Sequence, residues 1–365
     1  MTSLRSILWE VVTKIKGNTL TKDQRLTREA LAAMPKIELH RHLEGSLRLD
    51  TLLEIARQYK LDLPSSDAEG LRPYVQVTDD PPDHNVFLSK FEVLRHFYRS
   101  PEAISRLAYE AVADAAADNI HYMELRFSPQ ALARVRGFAL ADVTDWVIAA
   151  TQQASRDHDI EVGLIITLVR HDPVEQARQV AEVAFERADK GVVGFDLAGD
   201  EAKYNARPFQ PLFKEAKQVG LGITVHAGEW ASAAGVGHAI KELYADRIGH
   251  GIRSIEDSHI LKVVRDRQIA LEVCLTSNLQ TGVVYEMGQH PLMDLFDLGV
   301  PVTLNTDDPT VSNLTLTDEY EVAVNELRVT YQDLRQFILN AAGATFLPED
   351  GRKRLVAHFE KALPS

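Results

Sequence analysis

The chain has 365 residues and only one cysteine, Cys274. A lone thiol excludes an internal disulfide and every zinc site that draws on two or more thiolates. Long hydrophobic runs are also missing. The apolar stretch Ile7-Leu8-Trp9 stops at Glu10, too short for a signal-peptide core, and no run approaches the ~18 apolar residues of a membrane span. Positive charge is in deficit, with 40 Lys and Arg against 53 Asp and Glu and a formal net charge of −13. A chain of that sign is a poor partner for nucleic acid or anionic lipid. Internal repeats and low-complexity tracts are absent. These absences describe a reduced, soluble, cytoplasmic protein whose chemistry comes from side chains other than thiols.

What is present is a large apolar complement, 45% of residues, with 25% charged. A chain this long buries a core without staples. Length alone suggests two domains at ~150 residues each, but α/β barrels often use such lengths in one. Ile7, Val11 and Ile15 lie at helical spacing, so residues 4–16 are expected to form an amphipathic helix packed on the main body. Past residue 34, β-like apolar runs alternate with helical patterns. The runs are Ile37–His42, His121–Phe127, Glu161–Leu168, Val192–Leu197, Gly222–Val225, Arg247–Gly249, Ile269–Cys274 and Val300–Asn305. Between them, segments such as Pro173–Asp189 keep Val174, Ala177, Val180, Ala181 and Ala184 on one helical face.

Strand-then-helix alternation implies parallel strands, because parallel connections need a crossover. Eight such units predict a closed (β/α)8 barrel occupying residues 35–365 behind an N-terminal helical extension, residues 1–34. One connection is unusual. The 78 residues between the first two runs carry an apolar stripe of Phe87, Leu88, Phe91, Leu94 and Phe97. This is a helical insertion after strand 1, either plain packing or a wall over the barrel mouth, where barrel active sites sit.

Polar residues collect at the expected strand ends. His40 and His42, at i and i+2 of a strand, point to one side. His226 and Asp307 close two other strands. Together they form a His3Asp set that suits a divalent borderline metal, most plausibly zinc, with a position left for water. Two-metal hydrolases on this architecture often bridge their ions with a modified lysine at a central strand end. Gly194-Phe195-Asp196-Leu197-Ala198-Gly199 has no lysine, so one metal is expected. Glu229 follows His226 by three residues and suits a proton shuttle beside water; its plainer reading is a loop or helix-cap glutamate. His250, between Gly249 and Gly251, suits a group that orients or deprotonates that water. Asp308 diverges from Asp307 and so is free for substrate, although acidic pairs before a proline also occur as turns and helix caps.

The sequence resembles the adenosine deaminase family. The resemblance is carried by Pro35-Lys36-Ile37-Glu38-Leu39-His40-Arg41-His42-Leu43-Glu44-Gly45-Ser46, Asp196-Leu197-Ala198-Gly199-Asp200-Glu201, His226-Ala227-Gly228-Glu229, Arg247-Ile248-Gly249-His250-Gly251 and Asn305-Thr306-Asp307-Asp308-Pro309. Thr276–Thr281 and Phe346–Asp350 are similar too, and the likeness runs from about residue 35 to 360. It implies a (β/α)8 barrel of the metal-dependent hydrolase type and hydrolytic deamination of adenosine or deoxyadenosine, with one zinc on His40, His42, His226 and Asp307. It further implies Glu229 as the proton donor to purine N1 and His250 as the residue that positions the water and assists its deprotonation. Asp308 is implied to accept a hydrogen bond at N7, and the Gly199 backbone to meet N3.

Two positions depart from the family. Glu44 stands where adenosine deaminases commonly have an aspartate near the ribose 5′-hydroxyl. Adenine and aminodeoxyfutalosine deaminases often carry glutamate there, so Glu44 leaves the N9 substituent open. Leu275 follows Cys274 where a proline is common. The competing readings are a deaminase of 6-aminodeoxyfutalosine or adenine, a nucleoside-binding protein with a decayed site, and a metal hydrolase of esters or amides.

Overall fold

The structure, a computed structural model, describes residues 26–364. The helix expected over residues 4–16 lies outside them. Eight strands follow one another as β1 (Lys36–His42), β2 (Ile120–Phe127), β3 (Glu161–Val169), β4 (Val192–Ala198), β5 (Gly222–Ala227), β6 (Arg247–His250), β7 (Ala270–Val273) and β8 (Val302–Leu304). Each pairs in parallel with the next, in sequence order. Strands buried on both faces read as continuous apolar runs, which is why all eight are visible in the sequence. The last two are shorter than their runs. Pro301 has no N–H to give a ladder and β8 begins after it.

The ring closes between β8 and β1 at the site itself. Asp307 N–H donates to the His40 carbonyl at 3.0 Å, and His42 N–H to the Asp307 carbonyl at 2.8 Å. Asn305 extends this closure with its side chain, accepting from Leu39 N–H at 2.9 Å. Amphipathic helices such as Val174–Phe185, with Ala177, Val180, Ala181 and Ala184 buried, cover the outside of the barrel.

Between β1 and β2, helices Leu49–Tyr59, Ala68–Val75 and His84–Leu94 precede the barrel helix Pro101–Ala117. The inserted segment reaches across the C-terminal mouth. Asp83 N–H donates to the Gln280 carbonyl at 3.0 Å and Val77 N–H to that of Val311 at 2.8 Å. The His84 ring lies 4.9 Å from that of Trp230. Phe87, Leu94 and Phe97 are buried, so the apolar stripe does pack. The segment before the barrel is tied down as well: Leu31 of helix Arg28–Ala33 is buried, and Arg28 pairs with Glu321 at 2.6 Å.

Candidate active site

His40 and His42 enter the barrel mouth from the end of β1, with ring centroids 5.4 Å apart. His226 comes from β5, His250 ends β6, and Asp307 follows β8. His250 and Asp307 both hold positive φ, 58° and 64°. That conformation is costly for residues with a Cβ, and it gathers at sites where geometry matters more than backbone comfort. His42 Nε2 is 3.2 Å from His226 Nε2 and 3.4 Å from Asp307 Oδ1. His40 Nε2 is 3.2 Å from the same oxygen, is fully buried and has no hydrogen-bond partner. Ligands ~2.1 Å from a tetrahedral zinc stand about 3.4 Å from one another. One donor atom each from His40, His226, His250 and Asp307 also falls within 4.8 Å of the others.

The outer ring nitrogens are taken. His40 Nδ1 meets Glu272 Oε2 at 2.7 Å, and His226 Nδ1 meets Asp196 Oδ1 at 3.1 Å. Such bonds fix the tautomer and leave Nε2 as the free donor atom. Arg126 ties the two carboxylates together, at 2.7 Å from Glu272 and 3.3 Å from Asp196. Arg247 adds a bond of 2.6 Å to the second Glu272 oxygen and a 2.6 Å pair with Glu124. Burial opposes ionisation of Glu272, but Arg126 and Arg247 hold it well below the usual carboxylate range.

Glu229 is buried rather than a surface glutamate, with 4% exposure. Burial, reinforced by the charges of Asp307 and Glu201, pushes its carboxyl well above the ordinary value. Its Oε2 is 3.5 Å from His250 Nε2, and its Oε1 accepts from Asn278 Nδ2 at 3.4 Å. The same Asn278 nitrogen lies 3.2 Å from His250 Nδ1. Leu292 N–H donates to His290 Nδ1 at 3.1 Å, so His290 Nε2 carries the proton and donates to Asn278 Oδ1 at 3.2 Å. This chain assigns Asn278 as the donor to His250 Nδ1 and leaves the proton of neutral His250 on Nε2.

Asp308 occupies the N-cap of helix Pro309–Ser312, yet its side chain makes no capping bond. Its Oδ1 is buried and unpartnered. A Cβ on Gly45 would overlap that carboxylate, so only glycine lets the β1 loop pass this close. Glu44 Oε1 accepts from Ser128 N–H at 2.7 Å, while Oε2 has no partner, and burial raises its pKa to about 7. The Tyr98 hydroxyl is likewise buried without a partner, and Glu44 exerts the largest charge effect on it. Orphaned buried polar atoms of this kind mark where ligand groups bind. Gly199 follows β4 with φ of 96°.

A cavity of about 500 Å³ opens beside Glu229, lined also by His84, Trp230, Ile252 and Thr281. A larger one, about 760 Å³, lies at the opposite end of the barrel around Phe346. Of its charged lining residues, Lys217 and Asp246 pair with each other at 2.8 Å and Arg352 donates to the Leu347 carbonyl at 2.9 Å.

All nine residues expected at the site gather at one end of the barrel. The outer partners Asp196, Glu272, Arg126 and Asn278 were not singled out individually. For Asp196, Glu272 and Arg126 the signal is a charge inside an apolar strand, as in Ala270-Leu271-Glu272-Val273, where an unpaired ion would be intolerable; Asn278, a neutral amide in the short helix Leu275–Gln280, carries no such signal.

Fold and site define a barrel of the metal-dependent hydrolase class, with imidazoles and one carboxylate at its C-terminal mouth. The family model "Adenosine deaminase" matches residues 35–362. The chain is 38% identical over 330 residues to the adenosine deaminase of Klebsiella pneumoniae strain 342, covering 90% of this chain and 99% of that one. Among solved structures it matches an amidohydrolase from Burkholderia ambifaria with bound Zn, at 25% identity and TM-score 0.84, covering 93% and 95% of the two chains. It also matches Arabidopsis ADAL complexed with IMP, at 28% identity and TM-score 0.81, covering 92% and 99%. The chain belongs to the adenosine deaminase family, hydrolases that act on the amino group of a purine.

Proposed function

We propose that this protein deaminates adenosine and 2′-deoxyadenosine hydrolytically, giving inosine or deoxyinosine and ammonia, with one zinc held by His40, His42, His226 and Asp307. The observation that carries this reading is a buried carboxyl, Glu229, which burial pushes well above the ordinary carboxyl range and which lies 3.5 Å from His250 and beside a convergent set of imidazole nitrogens. The donor set fits a zinc ion: three imidazoles and a carboxylate are borderline ligands, and His40 Nε2 is otherwise an orphan. His42 fits better than His250 as the third imidazole. Its Nε2 stands at ligand-edge distance from both neighbours, whereas His250 Nε2 is 3.9 Å from the nearer Asp307 oxygen and faces Glu229. When bound, zinc would lower the pKa of a water towards about 7 and so supply a nucleophile at neutral pH.

The chain's own groups do the rest. Glu229 donates a proton to purine N1, which makes C6 electrophilic where charge develops. His250 presents Nε2–H and orients the attacking water; accepting a proton there would require the Asn278 amide to turn over. Water oxygen bonds to C6 and the C6–N bond breaks. Of the two water protons one leaves with ammonia and the other restores Glu229. Burial and the neighbouring Asp307 charge push the Asp308 carboxyl well above its ordinary value, which suits it to donate to purine N7. In this form the N7 bond runs from protein to base. The Gly199 backbone meets N3, and Glu44 faces the N9 substituent.

Residues 35–365 act as one catalytic unit in this reading. The net charge of −13 and the buried thiol of Cys274 support a small nucleoside substrate, rather than nucleic acid or lipid, and a cytoplasmic setting. Among the described residues no helix is long and apolar enough to cross a membrane. The test is turnover of adenosine, deoxyadenosine, adenine and aminodeoxyfutalosine by zinc-loaded protein. Adenosine and deoxyadenosine are expected to lead; ammonia from adenine or aminodeoxyfutalosine alone would overturn the assignment.

A further inference from the structure

We propose that Glu201 is a positioning residue for this reaction, its carboxylate acting as the anchor that holds the Glu229 loop in register with the metal ligands. The geometry is specific. Glu201 Oε2 accepts from Gly228 N–H at 3.0 Å, and Oε1 accepts from the N–H groups of Glu229, Trp230 and Ala231 at 2.6, 2.6 and 2.9 Å. Four consecutive backbone donors thus converge on one side chain 27 to 30 residues away in sequence. Successive N–H groups aimed at one point form a concave anion site, and a carboxylate fills it with charge-assisted bonds.

The turn needs this anchor because it cannot form a regular element. Gly228 sits at φ of 66°, and the helix that follows begins only at Ala233. Without Glu201 these four donors would have no partner in the loop. The anchor is itself braced. Asp200 accepts from the N–H groups of Ala202 and Lys203, both at 3.1 Å, and pairs with Lys203 Nζ at 2.8 Å. On the other side of His226, Arg170 donates to the His226 carbonyl, and its backbone N–H bonds Ala198 at 2.9 Å. β4 and the loop after it therefore hold both residues: Asp196 of β4 meets His226 Nδ1 at 3.1 Å, and Glu201 beyond it holds the backbone of the acid Glu229. Beside burial and Asp307, the Glu201 charge also pushes the Glu229 carboxyl upward.

This inference rests on the deaminase reading, and a double-mutant cycle between positions 201 and 229 separates the two. Wild-type protein turning over adenosine secures the reaction first; if it fails, the deaminase reading falls and Glu201 is not at issue. Glu201→Gln puts an amide donor against a backbone donor. It is expected to lower kcat for adenosine about 10²-fold, the cost of misplacing a catalytic group by about 1 Å. KM should move less than about threefold and zinc should remain bound. In the Glu229→Gln background the same change should cost less than about threefold, since the group being positioned is already disabled. Equal losses in both backgrounds, or an unchanged kcat, would overturn the proposal. If Glu201→Gln does not fold, Glu201→Asp, which keeps the charge but withdraws the oxygens by one methylene, enters the same cycle with the same two outcomes.

Discussion

Asp307 and Asp308 are adjacent carboxyls with opposite tendencies, and the difference comes from what each faces. Burial raises both. Around Asp307 the His40 ring, 3.2 Å away, and the neighbouring imidazoles outweigh burial and hold it well below the usual range. Asp308 meets Asp307, Glu44 and Glu229, which all add to burial, so it lies well above. The two therefore suit different work, a metal ligand and a neutral hydrogen-bond donor. Glu229 and His226, three residues apart, divide in the same way. His226→Ala should strip metal and activity together. Glu229→Gln should retain metal while kcat falls about 10²–10⁴-fold, the usual worth of general acid catalysis. Metal analysis beside steady-state kinetics checks both; a Glu229→Gln protein that loses zinc would contradict the role given to Glu229.

At the scale of elements, buried glutamates hold the loops that carry the chemistry. Glu38 accepts from Thr306 N–H at 2.9 Å, just before Asp307. Glu319, in helix Leu316–Leu327, accepts from Leu275 and Thr276 N–H, both at 3.1 Å, at the start of helix Leu275–Gln280. That short helix supplies Asn278, and Ser277, which donates to Asp307 Oδ2 at 2.7 Å. Burial raises the Glu319 pKa from 4.5 to about 7. A raised folded-state pKa means that the fold favours the protonated form. The stability it contributes is full below pH 4.5 and is lost as pH rises through about 7. Glu319→Gln should therefore flatten the dependence of unfolding free energy on pH over that window, by about 1–3 kcal/mol. Chemical denaturation of both proteins from pH 5 to about 8 reads this directly; parallel curves would contradict it. The eight strands themselves were legible because a parallel strand buried on both faces writes a local apolar run. The glutamate clamps were not, because a glutamate in a helix looks the same in sequence whether it meets water or a distant loop.

For the whole molecule, one buried column joins the floor of the barrel to its mouth. Phe346 closes the floor, with the Arg247 guanidinium 3.6 Å from its ring centroid. Arg247 pairs with Glu272, Glu272 with His40, and His40 Nε2 faces Asp307 Oδ1 at 3.2 Å in the candidate site. Gly194 and Gly222 leave room for that ring, since a Cβ at either would overlap Phe346. Gly222→Ala should destabilise the fold by about 1–3 kcal/mol through overpacking. Trimming the ring in Gly222→Ala/Phe346→Leu should recover part of the loss, so the two changes should be non-additive in denaturant titrations. Additive losses would mean that the ring moves aside freely and the floor is not tightly packed.

The sequence by itself determined the barrel, its order and the nine residues at its mouth. Strand and helix periodicities are local, and strand ends in a barrel share one rim. Only the tertiary structure decided how those residues are held and protonated. Glu272 stands 232 residues from His40, and Asn278 28 from His250. The raised carboxyls of Glu229 and Asp308, the proton on His250 Nε2 and the anchoring of the Glu229 loop all depend on such pairs. Charge and hydrogen bonding act through space over a few ångströms, and that separation exists only once the chain has closed into a ring.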